Sequence, residues 1–204
     1  LLLWPGLWGL FLSGNMDISY FTIVVLGSFL TRSVGCAIND MIDIQYDKKV
    51  NRTKNRPLAN GELTFREALI FTIILAAACL YLLSLTNIQT ICLVLFVAVP
   101  MIVIYPLMKR FIAVPQLFLG ATFGLSLPIS YSMAEGYISL EVILLYIGCI
   151  FWILAYDSYY ALCDIEDDKK ININSSPIFF GSDTQKAIML FYGLFVLIVM
   201  LLAI

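Results

Sequence analysis

Long apolar runs leave this chain few ways to fold. They occupy roughly 17–38, 68–86, 88–107, 112–133, 138–163 and 184–204, with a shorter one at 1–12. A membrane-spanning helix needs about 20 consecutive apolar residues, and all but the first run meet that length. The composition agrees. The 204 residues are 61% hydrophobic and 13% charged, against about 45–50% and about 25% in soluble domains. The reading is an all-α membrane protein, a multi-helix transmembrane bundle of seven helices with the first one partial, forming a single domain over 1–204. The run at 1–12 has no basic segment before it, so it is not read as a signal peptide. It reads as the tail of a helix that begins further upstream. The last run reaches Ile204 with no polar end. Both features lead us to expect an internal stretch of a longer protein.

Several function classes drop out at once. The net charge of −2 gives no electrostatic footprint for nucleic acid. There is no histidine, and Cys36, Cys79, Cys92, Cys149 and Cys163 form no CxxC pair. A zinc centre or a disulfide framework is therefore not expected, and these cysteines read as small apolar helix residues. Trp4, Trp8 and Trp152 read as packing or interface residues.

Basic residues give an orientation. All twelve Lys and Arg fall in alternate connections, or at the helix ends beside them. Seven of them, Arg32 to Arg66, belong to the second connection. Lys109 and Arg110 belong to the fourth, and Lys169, Lys170 and Lys186 to the sixth. The intervening turns carry only Asp17, Glu135 and Glu141. The positive-inside rule puts the charged connections in the cytoplasm or the mitochondrial matrix. The strict alternation also supports the helix count.

Two acidic clusters stand out on the charged side. In the first, Asn39, Asp43 and Asp47 are spaced i, i+4, i+8 and so share a helical face, with Asp40 beside it. Like charges at this spacing destabilise a helix. A bound cation reverses that interaction. Oxygen ligands without His or thiolate favour Mg²⁺. In the second cluster, Asp157, Asp164 and Asp168 fall at i, i+7, i+11, again one face if the helix is continuous. Asp157 follows the apolar stretch 150–156, which puts it inside a spanning run. A carboxylate at that depth costs about 2.5–3.5 kcal/mol on insertion scales, and such residues usually line a cavity. The two clusters lie about four helices apart, consistent with duplication of a helix unit.

Mg²⁺ typically binds one or two carboxylates and completes its shell with water and phosphate oxygens. Two facing acidic clusters thus predict a Mg²⁺–diphosphate site. Nearby cations would complete the clamp: Arg32, Arg52, Arg56, Lys109, Arg110, Lys169 and Lys170 are the candidates. Arg32 sits inside an apolar run seven residues before Asn39, so it is expected to be buried and to need an anionic partner. Tyr105 and Lys109 are four apart around Pro106, which is expected to break the last helical turn.

These residues resemble a known family. Asn39 to Asp47 resembles the NDxxDxxxD motif of the UbiA superfamily of intramembrane prenyltransferases. Arg52-Thr-Lys-Asn-Arg56-Pro57-Leu58 is similar to the RTxxRPL that follows it there. Tyr105-Pro-Leu-Met-Lys109-Arg110 with Pro115-Gln116 resembles the YPxxKR…PQ of the 4-hydroxybenzoate branch. Tyr156-Asp157-Ser-Tyr-Tyr-Ala161 with Asp164 to Lys169 is similar to its YDTxYAxxDxxDDxK. The motifs appear in family order over nearly the whole chain. The resemblance implies a nine-helix fold. It implies Mg²⁺ as cofactor, with Asn39, Asp43, Asp47, Asp164 and Asp168 as metal–diphosphate positions and Asp40 beside them. Polyprenyl diphosphate and 4-hydroxybenzoate are the implied substrates, in ubiquinone biosynthesis, in a bacterial or mitochondrial inner membrane. One departure falls after Lys170, where Asn172 and Asn174 stand at places the family gives to Gly and Lys. Pro177 also replaces a small residue.

The implied chemistry ionises the allylic C–O bond while Mg²⁺, Lys109, Arg110 and the other cations stabilise the leaving diphosphate. The ring attacks at the carbon ortho to its hydroxyl. Asp157 or Asp164 takes the proton, and Arg32 or Arg110 holds the acceptor carboxylate. Arg52, Arg56, Tyr105 and Lys169 are expected to bind substrate. A family enzyme with another acceptor is the nearest alternative. A membrane cation transporter is a more distant one, since it would place acids deep in several helices and only Asp157 is so placed. A CDP-alcohol phosphotransferase needs glycine after its second aspartate, and Ile44 follows Asp43.

Overall fold

The computed structural model describes residues 1–15, 17–50, 53–108, 110–170 and 173–203; the side chain of Asp167 is also outside the description. Its elements are α1 (Leu3–Ser13), α2 (Ile18–Asp47), α3 (Pro57–Asn60), α4 (Phe65–Ser84), α5 (Ile88–Leu93), α6 (Val99–Met108), α7 (Pro115–Gly124), α8 (Ser126–Glu135), α9 (Leu140–Ala161), α10 (Ile165–Lys170), α11 (Ser176–Phe180) and α12 (Thr184–Leu202). There is no strand among the described residues. Six helical runs among them are long and apolar enough to cross a membrane: Ile18–Asp47, Phe65–Ser84, Ile88–Met108, Pro115–Glu135, Leu140–Asp164 and Ser176–Leu202. With the short α1 this is the expected seven. In lipid every backbone polar group must find its partner within the protein, which helices achieve locally.

The helix ends follow capping chemistry. Asp17 caps α2 by accepting from the Ser19 amide at 2.7 Å, and Thr64 and Glu67 form a reciprocal capping box at the start of α4. Asn87 caps α5 and also donates to the carbonyls of Ser132 and Met133 at 2.7 and 3.1 Å, tying the α4–α5 turn to the end of α8. Between α5 and α6 the chain makes one π-helical turn, Val94–Ala98, just before Pro100. Pro106 does not break its helix. It is buried, and α6 continues to Met108. The spanning run tolerates the single lost backbone hydrogen bond.

The helices close on one another: α1 packs on α8 and α2, α2 on α4, and α9 on α7 and α12. Small residues permit the closest approaches. A Cβ on Gly120 of α7 would stand 2.8 Å from the Ile150 carbonyl of α9, and one on Gly9 of α1 would overlap the Leu127 carbonyl and Ser130 Oγ of α8. Ser126 Oγ also donates to the Leu2 carbonyl at 2.7 Å. The core gathers Leu127, Tyr131, Val142 and Cys149 with Trp8 against them, and Trp8 meets Trp152 at 5.2 Å between ring centroids. Phe29, Ile73, Phe96, Leu140 and Met189 are exposed. Such a surface is a liability in water; on an integral membrane protein it faces lipid.

Candidate active site

The first acidic cluster lies on the last turns of α2, which runs unbroken through Asp47. The predicted helical face is therefore present, with Asp43 and Asp47 both buried. Beyond α2 the chain turns back on itself. Thr53 Oγ1 donates to the Asp47 carbonyl at 3.1 Å, and Val50 and Thr53 are buried beneath the turn. That turn returns Arg56 to the cluster. Its Nη1 donates to Asp40 Oδ1 at 2.8 Å and to Asp47 Oδ2 at 3.0 Å. Arg110, beyond the end of α6, supplies a second cation. Its Nη2 is 3.2 Å from Asp43 Oδ1, and its guanidinium lies 4.6 Å from the Tyr46 ring centroid.

The second cluster comes from the end of α9. The continuous helical face expected over Asp157 to Asp168 is absent. A 3₁₀ turn over Leu162–Asp164 separates α9 from α10. The tighter winding of 3.0 residues per turn resets the phase. The three acids nevertheless line a single cavity of about 200 Å³ together with Asp43 and Asp47. Asp157 is half-buried at that wall.

Other predicted residues divide. Tyr105 lines the cavity and stands near enough to Asp157, Arg32 and Asp43 for their charges to act on its hydroxyl. Arg32 is exposed rather than buried, with its guanidinium 5.3 Å over the Phe123 ring and no carboxylate partner among the described residues. The aromatic face replaces the anion that burial would have required. Lys169 is exposed at the end of α10. Arg52 and Lys109 lie outside the described residues, as does Asn172. Asn39 and Asp40 are near the cavity but do not line it.

Sequence reasoning missed a buried polar brace behind the acids. Ser176 donates its amide to Gln116 Oε1 at 2.9 Å and its hydroxyl to Ser158 Oγ at 2.7 Å. This ties the 173–176 segment to α7 and α9. Ser158 follows Asp157 directly, and that adjacency was the available signal. Thr53, inside the RTxxRPL-like segment, was the other residue in reach.

Chemically the cavity suits a hard cation held jointly with an anionic ligand. Its described lining offers five carboxylates and three tyrosine hydroxyls, with no imidazole or thiol. Among the described residues no three acids converge tightly enough to enclose an ion alone. Mg²⁺ does not require such a cage, since phosphate oxygens and water supply much of its octahedron. The residues present therefore fit Mg²⁺ bound with a phosphate ligand.

Beside this polar cavity, further along α2 and α6, lies an apolar cavity of about 420 Å³. Its α2 wall runs from Ile38 back to Ile23, about 22 Å at 1.5 Å per residue.

Comparison with known proteins places the chain. The model of the UbiA prenyltransferase family matches residues 2–204. A protein named 4-hydroxybenzoate octaprenyltransferase from Polynucleobacter asymbioticus is 43% identical over 198 residues, covering 95% of this chain and 68% of that protein. One of the same name from Francisella tularensis subsp. mediasiatica is 40% identical over 206 residues, covering 100% and 72%. Among solved structures, the apo form of a UbiA homolog from Aeropyrum pernix K1 superposes with a TM-score of 0.83 at 24% identity, covering 97% of this chain and 74% of that one. A UbiA homolog from Archaeoglobus fulgidus bound to GPP and Mg²⁺ gives 0.76 at 23%, covering 98% and 71%.

Proposed function

The chain belongs to the UbiA prenyltransferase family, and on that premise we propose that it transfers a polyprenyl group from polyprenyl diphosphate to the ring of 4-hydroxybenzoate. One observation carries the reading: acids from two distant segments, Asp43 and Asp47 on α2 and, much later, Asp157 on α9, Asp164 in the 3₁₀ turn and Asp168 on α10, line one cavity. The names of the relatives support the acceptor. The ubiquinone pathway, and an inner membrane with the site on the cytoplasmic or matrix side, fit that reading.

Asp43, Asp47, Asp164 and Asp168 would hold Mg²⁺, with Asn39 and Asp40 supporting them. When bound, Mg²⁺ neutralises charge developing on the leaving diphosphate. Arg56 and Arg110 already neutralise the first cluster in this structure, and they act on the same leaving group. Arg52, Lys109 and Lys169 are proposed to contribute charge from the surrounding connections. The prenyl tail extends into the apolar cavity beside the site. Its walls exclude water from the allylic cation.

The C–O bond of the allylic diphosphate breaks and its electron pair leaves with the diphosphate. The ring carbon ortho to the hydroxyl then forms the new C–C bond. Asp157 accepts the ring proton, because it reaches the cavity from within a spanning helix and stands outside the proposed metal set. Tyr105 bounds the acceptor beside it. Arg32, with an aromatic face but no carboxylate to hold, binds the acceptor carboxylate.

The test is to incubate membranes carrying the chain with labelled 4-hydroxybenzoate and a panel of prenyl diphosphates, with and without Mg²⁺. Label entering the lipid fraction only with both diphosphate and Mg²⁺ is expected. Absence of product with every diphosphate would sink the reading.

A further inference from the structure

Ser175 lines the cavity, and its Oγ is fully buried with no hydrogen-bond partner among the described residues. The position makes this unusual. Ser175 is the N-cap residue of α11, where serine ordinarily accepts from a backbone amide of the first turn. Its side chain makes no such bond. A buried hydroxyl left unpaired is a standing cost, and removing it requires only a change to alanine. The peptide that carries it is also held firmly, by the bonds of Ser176 to Gln116 and Ser158. A serine hydroxyl reorients by rotation about one bond, so it reaches a partner in the cavity without moving that backbone.

We propose that Ser175 takes its missing partner from the acceptor, its Oγ accepting a hydrogen bond from the ring hydroxyl of 4-hydroxybenzoate. This rests on the transfer reading above. Depth selects the acceptor over the diphosphate. Ser176 bonds Ser158, the residue after Asp157, and Ser175 lines the same cavity as that proposed proton acceptor. Asp164 is seven residues beyond Asp157, at the end of the spanning run Leu140–Asp164. A hydroxyl contact at this level fixes the ring so that its ortho carbon faces the allylic end, and a phenol that donates to Ser175 releases more electron density into the ring, which favours attack from that carbon.

Ser175→Ala tests it in the full chain, in membranes and in detergent. The expected result is a rise of about tenfold in KM for 4-hydroxybenzoate, equivalent to about 1.4 kcal/mol, with KM for the prenyl diphosphate within twofold of wild type. Benzoate, which lacks the ring hydroxyl, should inhibit wild type and variant equally. With no acceptor present, the variant should melt at the same temperature or higher, because an unpaired buried hydroxyl has been removed. An unchanged KM for 4-hydroxybenzoate, a rise confined to the prenyl diphosphate, or a lower melting temperature would each overturn the inference while leaving the transfer reading intact. A wild-type chain that prenylates nothing overturns both.

Discussion

Arg110 Nη2 and Asp43 Oδ1 meet at 3.2 Å although 67 positions separate them in the chain. The contact joins the segment after α6 to the last turns of α2, and Tyr46 lies under the guanidinium at 4.6 Å. A buried carboxylate, 4% exposed, is thereby neutralised by the residue proposed to act on the leaving group. Arg110→Ala should reduce transfer by about 10²-fold, the scale seen for removal of one electrostatic stabiliser. The loss should be larger with limiting diphosphate substrate than with limiting acceptor. Steady-state rates on both substrates check this, and activity within threefold of wild type would remove Arg110 from the leaving-group role.

The proposed metal positions make a sharper demand. Asp43→Asn and Asp164→Asn keep shape and lose charge. Each should lower Mg²⁺-dependent transfer by at least about 10²-fold while the detergent-solubilised protein stays folded by circular dichroism. Chelation with EDTA should abolish wild-type activity and Mg²⁺ should restore it. Full activity in either variant contradicts the assignment.

Arg56 holds two acids at once, Asp40 and Asp47. Arg56→Ala leaves both unpaired, one of them buried. Asp40 and the guanidinium are each about a third exposed, which limits the penalty to about 1–3 kcal/mol. A melting temperature several degrees lower is expected, partly recovered by adding Asp40→Asn. No recovery would mean that Arg56 acts through packing.

Gly120 tests the α7–α9 contact. A Cβ there would meet the Ile150 carbonyl at 2.8 Å, whereas one at Gly193 meets nothing within 4 Å. Gly120→Ala should destabilise by about 1–3 kcal/mol. Gly193→Ala, inside α12, should be neutral or stabilising. Equal melting temperatures for the two variants would refute the close approach.

Asp17 provides a pH signature outside the spanning segments. Hydrogen bonds from the Ser19 hydroxyl and amide hold its carboxyl below the usual aspartate range. A folded-state value below the unfolded one stabilises above the unfolded value and fades as pH falls through the folded one. The melting gap between wild type and Asp17→Ala should be constant from pH 7 to about 4, the ordinary aspartate value, and close at lower pH. A gap that persists under acid would assign the effect to something other than the charge.

Much of this site is legible in the sequence, because its signals are local. Asp43 and Asp47 are one turn apart on a helix, and helical period alone puts them together. Asp157 announces itself by lying within an apolar run. What is not legible depends on turns. Arg56 reaches Asp47 because Thr53 folds the chain back onto the α2 terminus. The 3₁₀ turn at Leu162–Asp164 shifts a phase that a uniform helix would keep. Arg32 reads as buried because its neighbours are apolar, but it lies exposed over Phe123. The Gln116–Ser176–Ser158 brace combines common residue types from three distant places, and no spacing links them.

The contact of Gly9 with Leu127 also imposes an order in time. Synthesis proceeds from the N-terminus, yet the surface that receives Gly9 is built 118 residues later, from 9 to 127. Until α8 is in the bilayer, α1 lacks the backbone against which its glycine fits. Its docking is therefore a late, long-range closure of the kind that slows assembly. A helix made before α8 must wait for it, and a lesion at Gly9 should appear as a chain that inserts normally and fails to close.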